Sequence, residues 1–341
     1  MSKIKEWKES LRLKPSRRTL WEAFFVAGLL VAATFFAIFW EVLRSERMVL
    51  FFVEQREALS EWSSVADSAL SLFSYVGVEL FFMFFLFPII FWIGEKDAGK
   101  KSAMSLLVAG GAVFFIRQFI DLPRPYIPEM EIATPGNSFP SGHITQSIVA
   151  IGFLAVYYKS WIISLLTAFL VFLIGVSRLL FGFHFLDELL GGVMVGLATL
   201  YIFAKSISWL EKRVDLPLLF FFTLVVVLPF FLYFAEGDAA RHSFLLLYLG
   251  GLFTGFIVEN RFLKLIDIKR GIEKAYKLFL GMLIFCPLLI LEINRSNLIE
   301  EGFSTFVYLT YFFLGLFVSL VWPTLFASIG RVMELILKKR E

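Results

Sequence analysis

Between Arg117 and Glu188 three short stretches gather side chains suited to phosphate chemistry. The first runs from Arg117 to Pro125 and holds Arg117 and Arg124, seven residues apart. Two guanidiniums are planar donors that match phosphate oxygens. Pro123 and Pro125 stop a helix and fix the backbone around Arg124. The same arginines would also serve at a membrane interface, snorkelling to headgroups. The second stretch is Pro140, Ser141, Gly142 and His143. It offers a hydroxyl, a glycine whose backbone an anion can approach, and an imidazole at a helix start, where anions are attracted. A plain N-cap serine would explain Ser141 as well. The third holds Ser177, Arg178, His184, Asp187 and Glu188. Carboxylates three and four residues after a histidine share its helical face. Either Asp187 or Glu188 can hold one ring N–H of His184 and raise the basicity of the other nitrogen, as a nucleophilic imidazole requires. A helix-start carboxylate pair would account for Asp187 but not for Arg178 and His184.

The elements that must position these groups are membrane helices. The chain has 341 residues, of which 59% are hydrophobic and only 18% charged. Ordinary soluble domains run at about 45–50% and about 25%. A mean hydropathy of +0.79 agrees. This excludes a soluble enzyme, a disordered chain and a disulfide scaffold. Cys286, the single cysteine, allows neither an internal disulfide nor a cysteine metal site. The net charge of +3 is too small to argue for nucleic acid. Apolar runs long enough to cross a core of about 30 Å lie at 20–42, 69–94, 103–120, 141–158, 161–180, 188–206, 216–235, 244–258, 276–293 and 303–329. None alternates like a strand, and no repeat of fixed period is present. The expectation is an all-α polytopic membrane bundle of about ten transmembrane helices.

The basic residues orient this bundle, because cytoplasmic loops carry the excess of Lys and Arg. With the seven basic residues of 1–18 inside, all 16 lysines fall inside and the eight basic residues left outside are all arginine. Both termini are then cytoplasmic, and the first span is an uncleaved anchor rather than a signal peptide. His143, His184 and His242 all fall outside, as do the three stretches. Polar groups at membrane depth are costly and usually functional. Residues 45–67 read as an interfacial amphipathic segment with Phe51, Phe52, Leu59 and Trp62 toward lipid. Asp238, Arg241 and His242 share the side of the three stretches, as headgroup contacts or as a solvated turn. Asn294 and Ser296 form a glycosylation sequon close to the membrane. Gly250, Gly251 and Gly255 offer a surface for close helix packing.

Together the three stretches resemble the tripartite signature of the type 2 phosphatidic acid phosphatase superfamily, membrane lipid phosphatases related to vanadium haloperoxidases. Arg117 stands at its first basic position, usually Lys, and Arg124 and Pro125 follow at the right spacing. Pro140 to His143 match fully, and Ser177, Arg178 and His184 match in spacing. Glu188 stands where the family usually has Asp, with Asp187 one place early. A six-span core followed by extra spans is similar to the layout of the sphingosine-1-phosphate phosphatases. The expected division is therefore a phosphatase core over 1–209 and a four-span extension over 210–341.

The resemblance implies metal-free phosphoryl transfer through a phosphohistidine, with no cofactor. It makes His184 the nucleophile, held by Glu188 or Asp187. His143 becomes acid and then base, and Arg117, Arg124, Ser141, Gly142 and Arg178 bind the phosphate. The implied partner is a lipid phosphate within the bilayer, taken at the extracytoplasmic or lumenal face of a cell or endoplasmic reticulum membrane. A phosphotransferase using the same site, or a non-catalytic lipid carrier or scaffold, are the alternatives. The sequence chooses neither the lipid nor an oligomeric state.

Overall fold

Backbone polar groups in a bilayer must be satisfied within the protein, which for long apolar runs means helices. The computed structural model describes residues 17–76, 81–120, 122–125, 137–215, 218, 238–263, 271–288 and 304–338, and among these every regular element is helical. They are α1 (Arg17–Ile38), the single turn α2 (Trp40–Leu43), α3 (Glu46–Trp62) and α4 (Ser64–Val76). A π-helical turn (Phe82–Leu86) then leads into α5 (Phe87–Ile93), followed by α6 (Lys96–Phe119) and α7 (Gly142–Tyr158). Next come α8 (Trp161–Leu180), α9 (Leu186–Leu210), α10 (Asp238–Val258) and α11 (Gly271–Phe285). Last are α12 (Ser304–Leu316) and α13 (Trp322–Lys338), joined through a π-helical turn (Phe317–Val321).

Among the described residues four helical stretches are long and apolar enough to cross a membrane: Lys96–Phe119, Trp161–Leu180, Leu186–Leu210 and Phe306–Gly330. Phe82–Ile93 and Gly142–Tyr158 are apolar but shorter. The chain is thus an integral membrane protein of helical type. The expected span 69–94 holds the end of α4 and the Phe82–Ile93 helix, and residues 77–80 between them lie outside the described residues. The run 216–235 lies outside the described residues apart from residue 218, as do the sequon and residues 1–16. The side chains of Trp62, Asp238, Arg241 and His242 lie outside them too.

Around the three stretches the organising helix is α7. It packs against α6, α8 and α9, and Ile144 through Ala155 are all buried. Small residues bring its neighbours close, as in membrane bundles generally. On α6, Ser102 Oγ donates to the Ala150 carbonyl at 2.9 Å and Ser105 Oγ reaches that of Val149 at 3.4 Å. On α9, a Cβ added at Gly192 would sit 2.9 Å from the Ser141 carbonyl oxygen. At the far ends of α6 and α9, Lys100 and Lys101 bridge Asp97 and Glu211 at 2.7–3.4 Å. By contrast α8 turns Trp161, Leu165, Phe169 and Phe172 outward, as a lipid-facing helix does.

The C-terminal helices share one aromatic core with the π-helical turn and α5, continuous with buried residues of α6, α7 and α9. Phe84, Phe87, Trp92, Tyr248, Phe253 and Phe285 are buried together. Trp92 Nε1 donates to the Val318 carbonyl at 2.9 Å, and the Tyr248 hydroxyl to that of Met83 at 2.8 Å. Gly251 of α10 and Gly315 of α12 each face the other helix's backbone with no room for a side chain. This realises the close packing expected of the Gly250–Gly255 region inside one chain. Near the N-terminus, Trp40–Glu61 leaves the direction of Val26–Phe35 by 77°. Phe51 is exposed, as expected of an interfacial segment, but Phe52 corrects that reading: it packs against the core containing Ile144, Ile174 and Leu189. Val49 and Val53 are also buried, against Phe185. The segment therefore lies on the loop that carries His184.

Candidate active site

His184 stands in the short connection from α8 to α9, and the end of α8 explains its position. The Gly182 N–H donates to the Leu179 carbonyl at 2.9 Å and the Phe183 N–H to that of Arg178 at 3.0 Å. This paired pattern is a Schellman cap, whose penultimate residue takes a left-handed conformation. Gly182, with φ 65°, supplies it. The cap also presses the Arg178 guanidinium over the Phe183 ring, 5.3 Å from its centroid. The spacing from Arg178 through Gly182 to His184 is thus one folded unit.

Glu188 occupies the first turn of α9, where its Oε2 accepts from the Phe185 N–H at 3.3 Å. That satisfies a donor at the helix start and places the charge at the favourable end of the helix dipole. The same oxygen lies 2.6 Å from His184 Nδ1. One glutamate oxygen thus serves both donors. Asp187 turns elsewhere: its Oδ2 accepts from Arg44 Nη1 at 3.0 Å. Of the two carboxylates left open by the sequence, Glu188 is the one on the imidazole. His184, Asp187 and Glu188 are all buried.

The other stretches close around this pair. The Ser141 N–H donates to the Glu188 carbonyl at 3.0 Å, tying the start of α7 to α9. Thr145 Oγ1 reinforces the tie through the carbonyls of Ser141 and Gly192. Ser141 holds the N-cap position but makes no capping bond with its side chain. Its hydroxyl oxygen is buried with no hydrogen-bond partner among the described residues. Arg117 Nη2 donates to the Pro140 carbonyl at 3.2 Å, and a Cβ on Gly142 would lie 3.9 Å from that same nitrogen. Arg124 Nη1 reaches the Phe183 carbonyl at 3.4 Å, joining the first stretch to the histidine loop. Ser138 holds the backbone beside Arg124 through the carbonyls of Leu122 and Pro123.

The two histidines feel one shared field. Arg178, His184, Arg124 and Arg117 all act electrostatically on His143, which is only partly buried. Burial, together with the positive charges of Arg124, Arg178 and Arg117, holds His184 well below the ordinary imidazole range. The neutral form is the one that can attack an electrophile. All nine candidate residues therefore fall into one cluster: Arg117, Arg124, Ser141, Gly142, His143, Arg178, His184, Asp187 and Glu188. Among the described residues no three His, Cys, Asp or Glu side chains converge as a metal-ligand set.

One contributor was missed. Arg44, counted from the sequence only as an outside arginine, donates to Asp187, to Glu188 at 3.3 Å and to the Pro123 carbonyl. Nothing local marks it, since its partners lie 143 and 144 residues away. Its position as an outside arginine just after an apolar run was the available signal.

Residues 99–212 match the family model of the PAP2 superfamily. That stretch begins in α6, ends just past α9 and holds all nine clustered residues. No curated protein and no solved structure matches the chain.

Proposed function

We propose, on the match of residues 99–212 to the PAP2 superfamily model, that the protein is a lipid phosphate phosphatase working through a phosphohistidine. The observation that carries the reading is the buried contact of 2.6 Å between His184 Nδ1 and Glu188 Oε2. With the Nδ1–H donated to the Glu188 carboxylate in that hydrogen bond, the lone pair sits on Nε2. Nε2 attacks phosphorus while the bond to the lipid oxygen breaks, and His143 protonates the departing alkoxide. His143 then takes a proton from water, which attacks the phosphorus, and the P–N bond breaks to free His184. Arg117, Arg124 and Arg178 neutralise the phosphate, and Ser141 with the start of α7 donates where the equatorial oxygens gain charge.

A lipid substrate is supported by an apolar cleft of about 600 Å³. It is lined by α7, α8 and α9, with Ile148, Val171, Phe172, Val193 and Leu197 among its walls. Leu179, Leu186 and Leu189, which flank the His184 loop, line it as well. A hydrocarbon chain in this cleft would hold the headgroup near the loop. The reading places the site on the extracytoplasmic or lumenal side.

The test is phosphate release by purified protein in detergent with EDTA present. Phosphatidate, phosphatidylglycerophosphate, undecaprenyl pyrophosphate and sphingosine-1-phosphate would be compared, with His184→Ala as the blank. Release that survives EDTA and vanishes in the variant is expected. Near-normal release by the variant would refute the mechanism. Release only when an alcohol acceptor is supplied would make the protein a phosphotransferase.

A further inference from the structure

The family match begins at residue 99, yet a side chain from far outside it reaches the heart of the site. Arg44 follows the single turn α2 and is held there by its own backbone bond to the Trp40 carbonyl, 3.0 Å. Its guanidinium packs over Phe185, 4.6 Å from the ring centroid, with Trp40 on another side at 5.8 Å. Nη1 bridges Asp187 Oδ2 at 3.0 Å and Glu188 Oε1 at 3.3 Å. Both carboxylates are fully buried, and Arg44 itself is only 15% exposed. Glu188 thus uses one oxygen for His184 and the other for Arg44.

We propose that Arg44 is a positioning residue that keeps the His184–Glu188 pair one proton short, so that Nε2 stays available for attack. The inference rests on the phosphohistidine reading. In the working state Glu188 is ionised, His184 carries its proton on Nδ1, and the pair bears one negative charge, which Arg44 neutralises. Without Arg44 a buried anionic pair gains a proton more readily. That proton has three places to go. On the imidazole it makes a cation with both nitrogens protonated; on Glu188 Oε2 it is donated to Nδ1 and the ring proton moves to Nε2; on Glu188 Oε1, the oxygen Arg44 holds, it leaves Nε2 bare but removes the negative charge that raises its basicity. The first two occupy the lone pair that attacks, and the third weakens it. The other charges facing the pair are Arg117, Arg124 and Arg178, which oppose protonation, and Asp187, which favours it. His143 faces it as well. Arg44 is the cation in direct contact with both carboxylates.

The experiment measures the pH profile of kcat and kcat/KM for wild type, Arg44→Gln and Arg44→Lys on the substrate ranked first above. In parallel, ¹⁵N-histidine spectra of substrate-free protein follow protonation directly. With three histidines in the chain, the His184 signals are assigned by their loss in His184→Ala. For Arg44→Gln the acid limb is expected to move up by roughly one to three pH units. Activity should return toward wild type at alkaline pH, and the His184 signals should titrate with the same displacement. Arg44→Lys, which keeps the charge, should restore most of the profile. A uniform loss at every pH with an unmoved His184 titration would overturn the proposal and leave Arg44 a structural tie. So would an unchanged profile. If Arg44→Gln fails to fold, Arg44→Lys against wild type decides: near-wild-type kcat and titration support the proposal, and uniform loss contradicts it. If wild type releases no phosphate from any substrate, the phosphatase reading fails while the spectra still decide the role of Arg44.

Discussion

Two residues do the bond-making in this account, and their surroundings make opposite demands on them. His184 is buried and neutral against Glu188, while His143 sits partly open at the start of α7 to trade protons with the leaving group and water. Replacing His143 with alanine should lower kcat by roughly 100- to 10,000-fold, in line with the worth of a positioned acid and base, and His184→Ala should abolish turnover by removing the nucleophile, while both proteins still insert and fold. Glu188→Gln should cost far more activity than Asp187→Asn, because only Glu188 touches the imidazole. Comparable losses would contradict this assignment. The pH dependence follows from the lowered His184. Its neutral form must attack, and burial with three flanking arginines preserves that form below the ordinary value of 6.5. Activity limited by His184 should therefore persist as pH falls through 6.5 and disappear only below it. An acid limb above 6.5 in the wild type would contradict the burial argument. At this scale the sequence was highly legible: local spacing tied Arg178 to His184 and His184 to a carboxylate. The choice between Asp187 and Glu188 was not legible, because it depends on which rotamer the helix start and Arg44 impose.

At the scale of elements, the loop that carries His184 is built by a helix cap. The Schellman turn at the end of α8 needs a left-handed residue, and Gly182 at φ 65° fills that place. Gly182→Ala should lower stability by about 1 kcal/mol and reduce kcat, since the same turn aims His184. Thermal melting with kinetics on the folded fraction checks this; full activity in the variant would show that the loop tolerates another turn. Helix existence was readable from the apolar runs, and α8 matches its expected bounds. The π-helical turns Phe82–Leu86 and Phe317–Val321 inside expected spans were not readable, because hydropathy carries no signal for them. Phe52 turned inward for a related reason: an amphipathic helix meeting a protein surface buries apolar residues there rather than in lipid.

For the whole molecule, α7 is wrapped by α6, α8 and α9, and three sequence-distant stretches meet at one end of that bundle. The opposite end is closed by ion pairs of Lys100 and Lys101 with Asp97 and Glu211. This polarity was legible in the segregation of lysine from histidine. The contribution of Arg44 was not, because a contact across 144 residues leaves no trace in spacing. If lysine marks the cytoplasmic side, a membrane-impermeant maleimide applied to intact cells should label Ser60→Cys and spare Asp215→Cys, both made with Cys286→Ser. The reverse pattern would invert the topology. The most direct test of the central claim is to trap the intermediate: protein quenched during turnover of a ³²P-labelled lipid phosphate. A phosphohistidine on His184 gives label bound to protein that survives alkali, is lost in acid, and is absent from His184→Ala. A protein that turns over substrate at full rate with no such label, or keeps the label in His184→Ala, would contradict it.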